Sequence, residues 1–317
     1  MSLNMHNLLT HVQHPKSPKG YQAEEDSDAI RVSEYWGKKT NQIQSPKISF
    51  EFFPPRSDTA KKSLKETHLK LSSINPEHYS VTFGALGTSQ DATFDTIVNL
   101  SKDTEIPITP HLTCVDTNKK QVTELIDKYI SHGVNQVMVL KGDTPSKPLH
   151  EGDFEYANEM VKFIKEHYDN IDILVAAYPE KHPHSMNIRT DIDFFVDKVN
   201  SGATQAITQY FYNIDAYFHY IDELQKRNID IPITPGIMPI TNYEQLINFS
   251  ETCGAEIPAW ILNRLKLYRH DPESLKEFGQ DVVSEMCLNL KENGVNSFHF
   301  YSMNKAEPVL SISKILI

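Results

Sequence analysis

Apolar and polar positions follow two interleaved rhythms from about residue 48 onward. Short runs rich in β-branched and aromatic residues recur, and each is followed by a stretch of helical period. The runs predict strands at 48–53, 79–83, 106–113, 136–140, 173–177, 205–211, 233–237 and 297–301. After the third run, Val122, Leu125, Ile126, Tyr129 and Ile130 share one helical face, with Thr117 as N-cap and Gly133 as the closing residue. Asp271-Pro272-Glu273 opens a further helix, with proline in the first turn, where no N–H is needed.

Eight strand-then-helix units over roughly 270 residues predict a single α/β domain, a (β/α)8 TIM barrel with extra helices, spanning 46–317. Residues 1–45 are polar and contain proline, and they read as an N-terminal arm with a helical stretch around Val32 to Trp36. The competing topology is an open doubly wound sheet, which usually carries G-x-G-x-x-G after an early strand. The chain has 12 glycines, and neither that motif nor a Walker A loop occurs. Any nucleotide cofactor is therefore held without either glycine loop.

Composition narrows the partners. With 31 Lys plus Arg against 42 Asp plus Glu, the formal charge is −11, which argues against nucleic acid or an anionic membrane as partner. Cys114, Cys253 and Cys287 are widely spaced and form no C-x-x-C pair, so neither a zinc ribbon nor a disulfide framework is implied. A reducing cytoplasm fits this usage. No apolar run approaches the roughly 18 residues of a membrane span. The first 20 residues also lack the apolar stretch of a signal peptide.

In a barrel the chemistry lies at the carboxyl ends of the strands. These ends carry Glu51, Thr82, His111 with Thr113, Lys141-Gly142-Asp143, Tyr178 with Glu180 and His182, Gln209, and Tyr301 with Asn304 and Lys305. Alternation puts Ile48, Phe50 and Phe52 on one face of the first strand and Ser49, Glu51 and Phe53 on the other, the lumen. A carboxyl in a lumen either titrates high and serves as a general acid or pairs with a buried cation; the pattern does not choose. Lys141-Gly142-Asp143 reads either as a strand-to-loop turn or as a place where backbone approaches a planar ligand. His111 reads as a satisfied core histidine or a site residue. Phe52 and Phe53 read as core aromatics. His182 and His184 have no third ligand at a metal spacing, so no metal is expected.

The motifs at these positions carry a resemblance. Ser49-Phe50-Glu51-Phe52-Phe53-Pro54-Pro55, Ser80-Val81-Thr82-Phe83-Gly84-Ala85 and Pro110-His111-Leu112-Thr113-Cys114 resemble successive signatures of methylenetetrahydrofolate reductases. So do Leu140-Lys141-Gly142-Asp143, Ala176-Ala177-Tyr178-Pro179-Glu180, Ala206-Ile207-Thr208-Gln209-Tyr210-Phe211, Pro235-Gly236-Ile237-Met238-Pro239, Ile257-Pro258-Ala259-Trp260 and Phe298-His299-Phe300-Tyr301. They run in order from about residue 45 to the end, and the resemblance is to the short form that consists of the catalytic domain.

The resemblance implies a barrel that holds FAD and reduces 5,10-methylenetetrahydrofolate to 5-methyltetrahydrofolate. The electrons come from NADH or NADPH in a ping-pong reaction within one-carbon metabolism and methionine supply. Glu51 matches the family's general acid. Asp143 matches a catalytic residue close to both flavin and pterin. Thr82, Phe83, Ala85, His111, Lys141, Gly142, Asp143, Ala157, Tyr178, His182, Asp191 and Lys198 match flavin-contacting positions. Gln209, Gln245, Phe249 and Lys305, with Asp143, match substrate-contacting ones. Members of this type associate, so a homo-oligomer is expected. Lys141 and Lys305 stand where the family usually has Arg; lysine keeps the charge but loses the planar fork. Asp197 stands beside Lys198 where relatives can carry a basic residue. Two other readings compete: a barrel lyase or aldolase using Lys141 as a Schiff base, and a non-catalytic folate- or flavin-binding protein.

Overall fold

The structure is a computed structural model that describes residues 45–83, 90–142 and 152–317. The arm expected at 1–45, with its helical stretch, lies outside the described residues but for residue 45, as do Ala85 and Asp143.

The strands are β1 (Lys47–Phe52), β2 (His78–Val81), β3 (Ile108–Thr113), β4 (Gln136–Leu140), β5 (Asp172–Ala177), β6 (Gln205–Thr208), β7 (Ile233–Thr234), β8 (Gly236–Ile237) and β9 (Ser297–Tyr301). All pairings are parallel, in the order β7-β6-β5-β4-β3-β2-β1-β9-β8. The expected barrel is present, with one difference in its seventh stave. The run 233–237 breaks at Pro235, which has no N–H to give to a ladder. Before the break β7 pairs with β6, and after it β8 pairs with β9. One stave thus serves both neighbours and closes the sheet. Three other strands are shorter than expected. β3 starts only after Pro107, β2 stops at Val81 and β6 at Thr208.

The helices are α1 (Asp58–Leu71), α2 (Gln90–Ser101), α3 (Lys119–Ile130), α4 (Ala157–His167), α5 (Ile188–Asn200), α6 (Ile214–Lys226), α7 (Tyr243–Cys253), α8 (Ala259–Leu267), α9 (Pro272–Glu292) and α10 (Val309–Leu316). α9 begins as expected, with Asp271 accepting from the Ser274 N–H and Pro272 in the first turn. The cap of α3 differs from the expectation. Asn118, not Thr117, is the N-cap, because Asn118 and Gln121 form a reciprocal capping box. The Thr117 hydroxyl donates to the Val115 carbonyl instead. Ile130, at the helix end, is exposed rather than on the buried face. Gly133 follows the helix at φ +80°, a left-handed turn that suits glycine.

Alternation along the strands sorts two cores. Phe50, Phe52, Tyr79, Phe298 and Phe300 are fully buried between sheet and helices. Burial of each such ring stabilises the fold by roughly 1.5–3 kcal/mol. The opposite faces fill the lumen, and they differ around its circumference. On β4, β5 and β6, Met138, Leu174 and Ile207 form a separate apolar cluster with Leu140 and Ala176. On β9, β1 and β2 the lumen is polar. The His299 ring sits 2.7 Å from Ser49 Oγ through Nδ1 and 3.3 Å from Ser80 Oγ through Nε2.

Candidate active site

Glu51 ends β1 on the lumen side, as alternation predicts. Its side chain keeps 21% of its surface open, and its Oε2 lies 3.7 Å from His111 Nε2 across β2. Burial pushes the Glu51 carboxyl up to about 8. Burial first, and then the neighbouring His78, pushes the His111 imidazole down to about 3. At neutral pH the pair is therefore a protonated acid beside a neutral ring. Of the two readings open for a luminal carboxyl, the structure favours the one that titrates high. The end of β1 is held by two contacts: Ser302 donates to the Glu51 carbonyl, and Asn304 exchanges two hydrogen bonds with the Phe53 backbone, at 3.0 and 2.9 Å. Phe53 itself is 40% exposed, so it is not the core aromatic expected; it points out at the mouth while Phe52 is fully buried.

Next around the mouth, Thr82 and His111 follow β2 and lie on β3. Among the described residues, Thr82 Oγ1 and His111 Nε2 are buried without a hydrogen-bond partner. A buried polar atom without a partner is costly, so each is a place where a bound group can supply one. Phe83 packs on the core beside Thr82.

At the exit of β4, Gly142 has φ +85°, and an added Cβ would stand 2.9 Å from Thr113 Cβ. Both the positive φ and this close approach require glycine here. Lys141 is exposed, with Nζ 4.4 Å from the centre of the Tyr156 ring. Tyr156 precedes the buried Ala157 at the start of α4 and stacks with Phe194 of α5 at 6.3 Å. Tyr156 carries no periodic signal, and sequence reasoning missed it.

The exit of β5 and the following helix bring four of the expected residues together. Tyr178 and His182 meet edge to face at 4.7 Å. The His184 N–H donates to His182 Nδ1 over 3.1 Å, which leaves Nε2 as the nitrogen able to carry the ring proton. Asp191 is buried and accepts from Ser185 Oγ at 2.6 Å. Lys198 donates to the Ala176 carbonyl and lies near the Phe195 and Tyr178 rings. Burial lowers its ammonium to about 8, with Asp191 opposing. Among the described residues, no group of three His, Cys, Asp or Glu is placed to hold a metal ion.

On the remaining side, Gln209 follows β6; its backbone N–H donates to Ala177 at 2.7 Å and its side-chain oxygen accepts from the Tyr210 N–H at 2.9 Å. Gln209 also lines a cleft with Tyr178, Glu180 and Tyr210. Gln245 and Phe249 lie one helical turn apart on α7 and so share a face. Lys305 is exposed after β9. Tyr301 reaches across the seventh stave, its hydroxyl donating to the Thr208 carbonyl at 2.7 Å, and Gly236 leaves room for its ring.

A family model described as methylenetetrahydrofolate reductase matches residues 38–316. The chain belongs to the methylenetetrahydrofolate reductase family. It is 39% identical over 264 residues to the 5,10-methylenetetrahydrofolate reductase of Buchnera aphidicola subsp. Schizaphis graminum, covering 83% of this chain and 89% of that one. It is 35% identical to the Escherichia coli protein of the same name over 269 residues, 85% and 90% of the two chains. Against a longer Arabidopsis thaliana relative, methylenetetrahydrofolate reductase (NADH) 1, identity is 30%, with 84% of this chain and 47% of that one matched. Among solved structures, a Clostridium thermocellum protein that binds two copies of 5-methyl-5,6,7,8-tetrahydrofolic acid shares the fold. Its TM-score is 0.62 at 18% identity, over 86% of this chain and 95% of that one. Membership in the family makes this chain an enzyme of oxidoreductase type. No helix among the described residues is long and apolar enough to cross a membrane.

Proposed function

We propose that this enzyme reduces 5,10-methylenetetrahydrofolate to 5-methyltetrahydrofolate, using FAD and a reduced nicotinamide nucleotide, in one-carbon metabolism. The observation that carries the reading is Glu51: a luminal carboxyl that keeps its proton up to about 8, at the mouth of a barrel of this family. A carboxyl held neutral at pH 7 is suited to give a proton to a ring nitrogen. On the folate, that proton opens the five-membered ring to an iminium carbon able to accept hydride. The neutral His111 ring beside Glu51 leaves the acid undissociated, because it brings no positive charge to stabilise the carboxylate against burial.

The residues present fit a flavin. Thr82 Oγ1 and His111 Nε2 are buried atoms in want of partners, and Lys198 offers a buried ammonium next to the Tyr178–His182 pair. Thr82, His111, Lys141, Gly142, Ala157, Tyr178, His182, Asp191 and Lys198 would hold it. Bound there, FAD supplies hydride transfer between the two substrates. Phe249 and Gln245 on α7 and Gln209 after β6 would bind the nicotinamide and the folate in turn, the arrangement a ping-pong reaction needs. Asp143, Ala85 and Lys305 keep the roles that the resemblance implies. NADH is the donor we favour; the name of the Arabidopsis relative supports it.

The Schiff-base reading of Lys141 has less in its favour. A lysine nucleophile is activated by desolvation or a neighbouring cation, whereas Lys141 is exposed over an aromatic ring. An absorption spectrum of the purified protein, followed by anaerobic NADH and then methylenetetrahydrofolate, tests the two. The proposed function predicts a yellow protein that bleaches and then recovers its colour. A colourless protein that takes up no FAD would remove the redox reading.

A further inference from the structure

Glu180 is a strand-end residue that neither the acid, the flavin nor the folate roles absorb. It follows β5, two residues after Tyr178, and lines a small cleft with Tyr178, Gln209, Tyr210 and Cys253. Its two oxygens are in different situations. Oε2 accepts the backbone N–H of Glu256 at 2.8 Å, a contact 76 residues away in sequence. Oε1 is buried and, among the described residues, has no hydrogen-bond partner. Burial holds the carboxyl up near 7, and the Glu256 N–H works against that rise.

The Glu256 contact joins two parts of the site. On one side is the loop 178–185, which carries Tyr178 and His182. On the other is the segment just beyond α7, the helix that carries Gln245 and Phe249. Two further contacts run along the same seam. Gly254, the left-handed cap of α7, stands so close to Pro183 that an added Cβ would lie 3.0 Å from Pro183 Cγ. Tyr210 and Ser250, on the buried side of α7, meet hydroxyl to hydroxyl at 3.1 Å. The loop itself is strained. Lys181, next to Glu180, has φ +101°, a conformation an L residue keeps only where its surroundings hold it. The Lys181 N–H donates to the Tyr178 carbonyl and its ammonium to the Ser185 carbonyl, and Glu180 adds a side-chain bond from this turn to the segment beyond α7.

We infer that Glu180 is a positioning residue, whose bond to the Glu256 backbone ties α7 to the flavin-side loop and so sets Gln245 and Phe249 for both substrates. The inference rests on the proposed function for what those two side chains bind. Glu180 does not touch the reacting atoms, so its loss acts on the binding of nicotinamide and folate alike and leaves the chemical step largely alone.

Glu180→Ala and Glu180→Gln separate the tie from its alternatives. The glutamine oxygen still accepts the Glu256 N–H, and alanine does not. The measurements are KM for NADH and for methylenetetrahydrofolate, kcat, flavin content, and hydrogen exchange at the Glu256 amide. For Glu180→Ala both KM values rise several-fold, up to about tenfold, the factor that one hydrogen bond is worth. Flavin content and kcat stay near those of the parent, and the Glu256 amide exchanges faster. Glu180→Gln restores both KM values and the slow exchange. A glutamine variant as impaired as the alanine one would overturn the inference, as would unchanged KM values in Glu180→Ala or a loss explained by departed flavin. If the parent protein reduced no folate, the proposed reaction would fail separately, and exchange at Glu256 would still decide whether the tie exists.

Discussion

The Oε2 of Glu51 and the Nε2 of His111 stand 3.7 Å apart, and burial drives their proton affinities in opposite directions. The carboxyl rises from its usual 4.5 to about 8, so it is the protonated form that is present at neutral pH. That form is lost as pH rises through about 8. Folate reduction that needs the acid should therefore be level below this point and decline above it, while flavin reduction by NADH, which needs no proton from Glu51, should not follow the same curve. Rapid-mixing rates for the two half-reactions from pH 6 to about 9.5 check this. A folate half-reaction that speeds up through that range would assign Glu51 the opposite role.

Gly142→Ala combines a positive φ with a Cβ 2.9 Å from Thr113 Cβ. The strain is of the order of 1–3 kcal/mol. It falls at the exit of β4, beside Lys141, so flavin retention should drop together with melting temperature. Thermal unfolding and the flavin-to-protein absorbance ratio report the two effects.

Tyr301→Phe removes one buried hydroxyl, which donates to Thr208 across the broken seventh stave. The loss should be about 1 kcal/mol, with the Thr208 carbonyl left to find another donor. Denaturant unfolding measures it. A variant as stable as the parent would show that the closure of the barrel owes nothing to this bond.

Much of this architecture was legible in the chain. The alternation Ile48 to Phe53 is a local pattern, and it alone places Glu51 in the lumen and Phe52 in the outer core. The capping box of α3 was also present in the sequence, as Asn118 and Gln121 at the right spacing; Thr117 is equally polar and only the reciprocal partner separates the two. Other features depend on contacts between distant segments. Pro235 marks a break in the seventh run, but nothing local says that its two halves bind different neighbours. Gly142 needs to be glycine because of Thr113, a neighbour from another strand. Tyr156 becomes part of the mouth only because α4 and α5 lie side by side there, and Glu180 acquires a use only when the chain returns at Glu256.

Lys305 is exposed at the mouth, in a position where the resemblance implies a planar fork toward the folate. Lys305→Arg should lower KM for methylenetetrahydrofolate several-fold with kcat little changed, because a bidentate contact binds substrate and transition state alike. Steady-state kinetics with saturating NADH test this, and an unchanged KM would remove Lys305 from the folate contacts.

Anaerobic rapid mixing of Glu51→Gln tests the central claim most directly. The account predicts that NADH bleaches the flavin of this variant at nearly the parent rate. Methylenetetrahydrofolate then fails to restore the colour, because glutamine has the shape of the acid but no proton to give. Restoration of the colour at the parent rate, or equal loss of both half-reactions, would contradict the assignment of Glu51 as the acid that opens the folate ring.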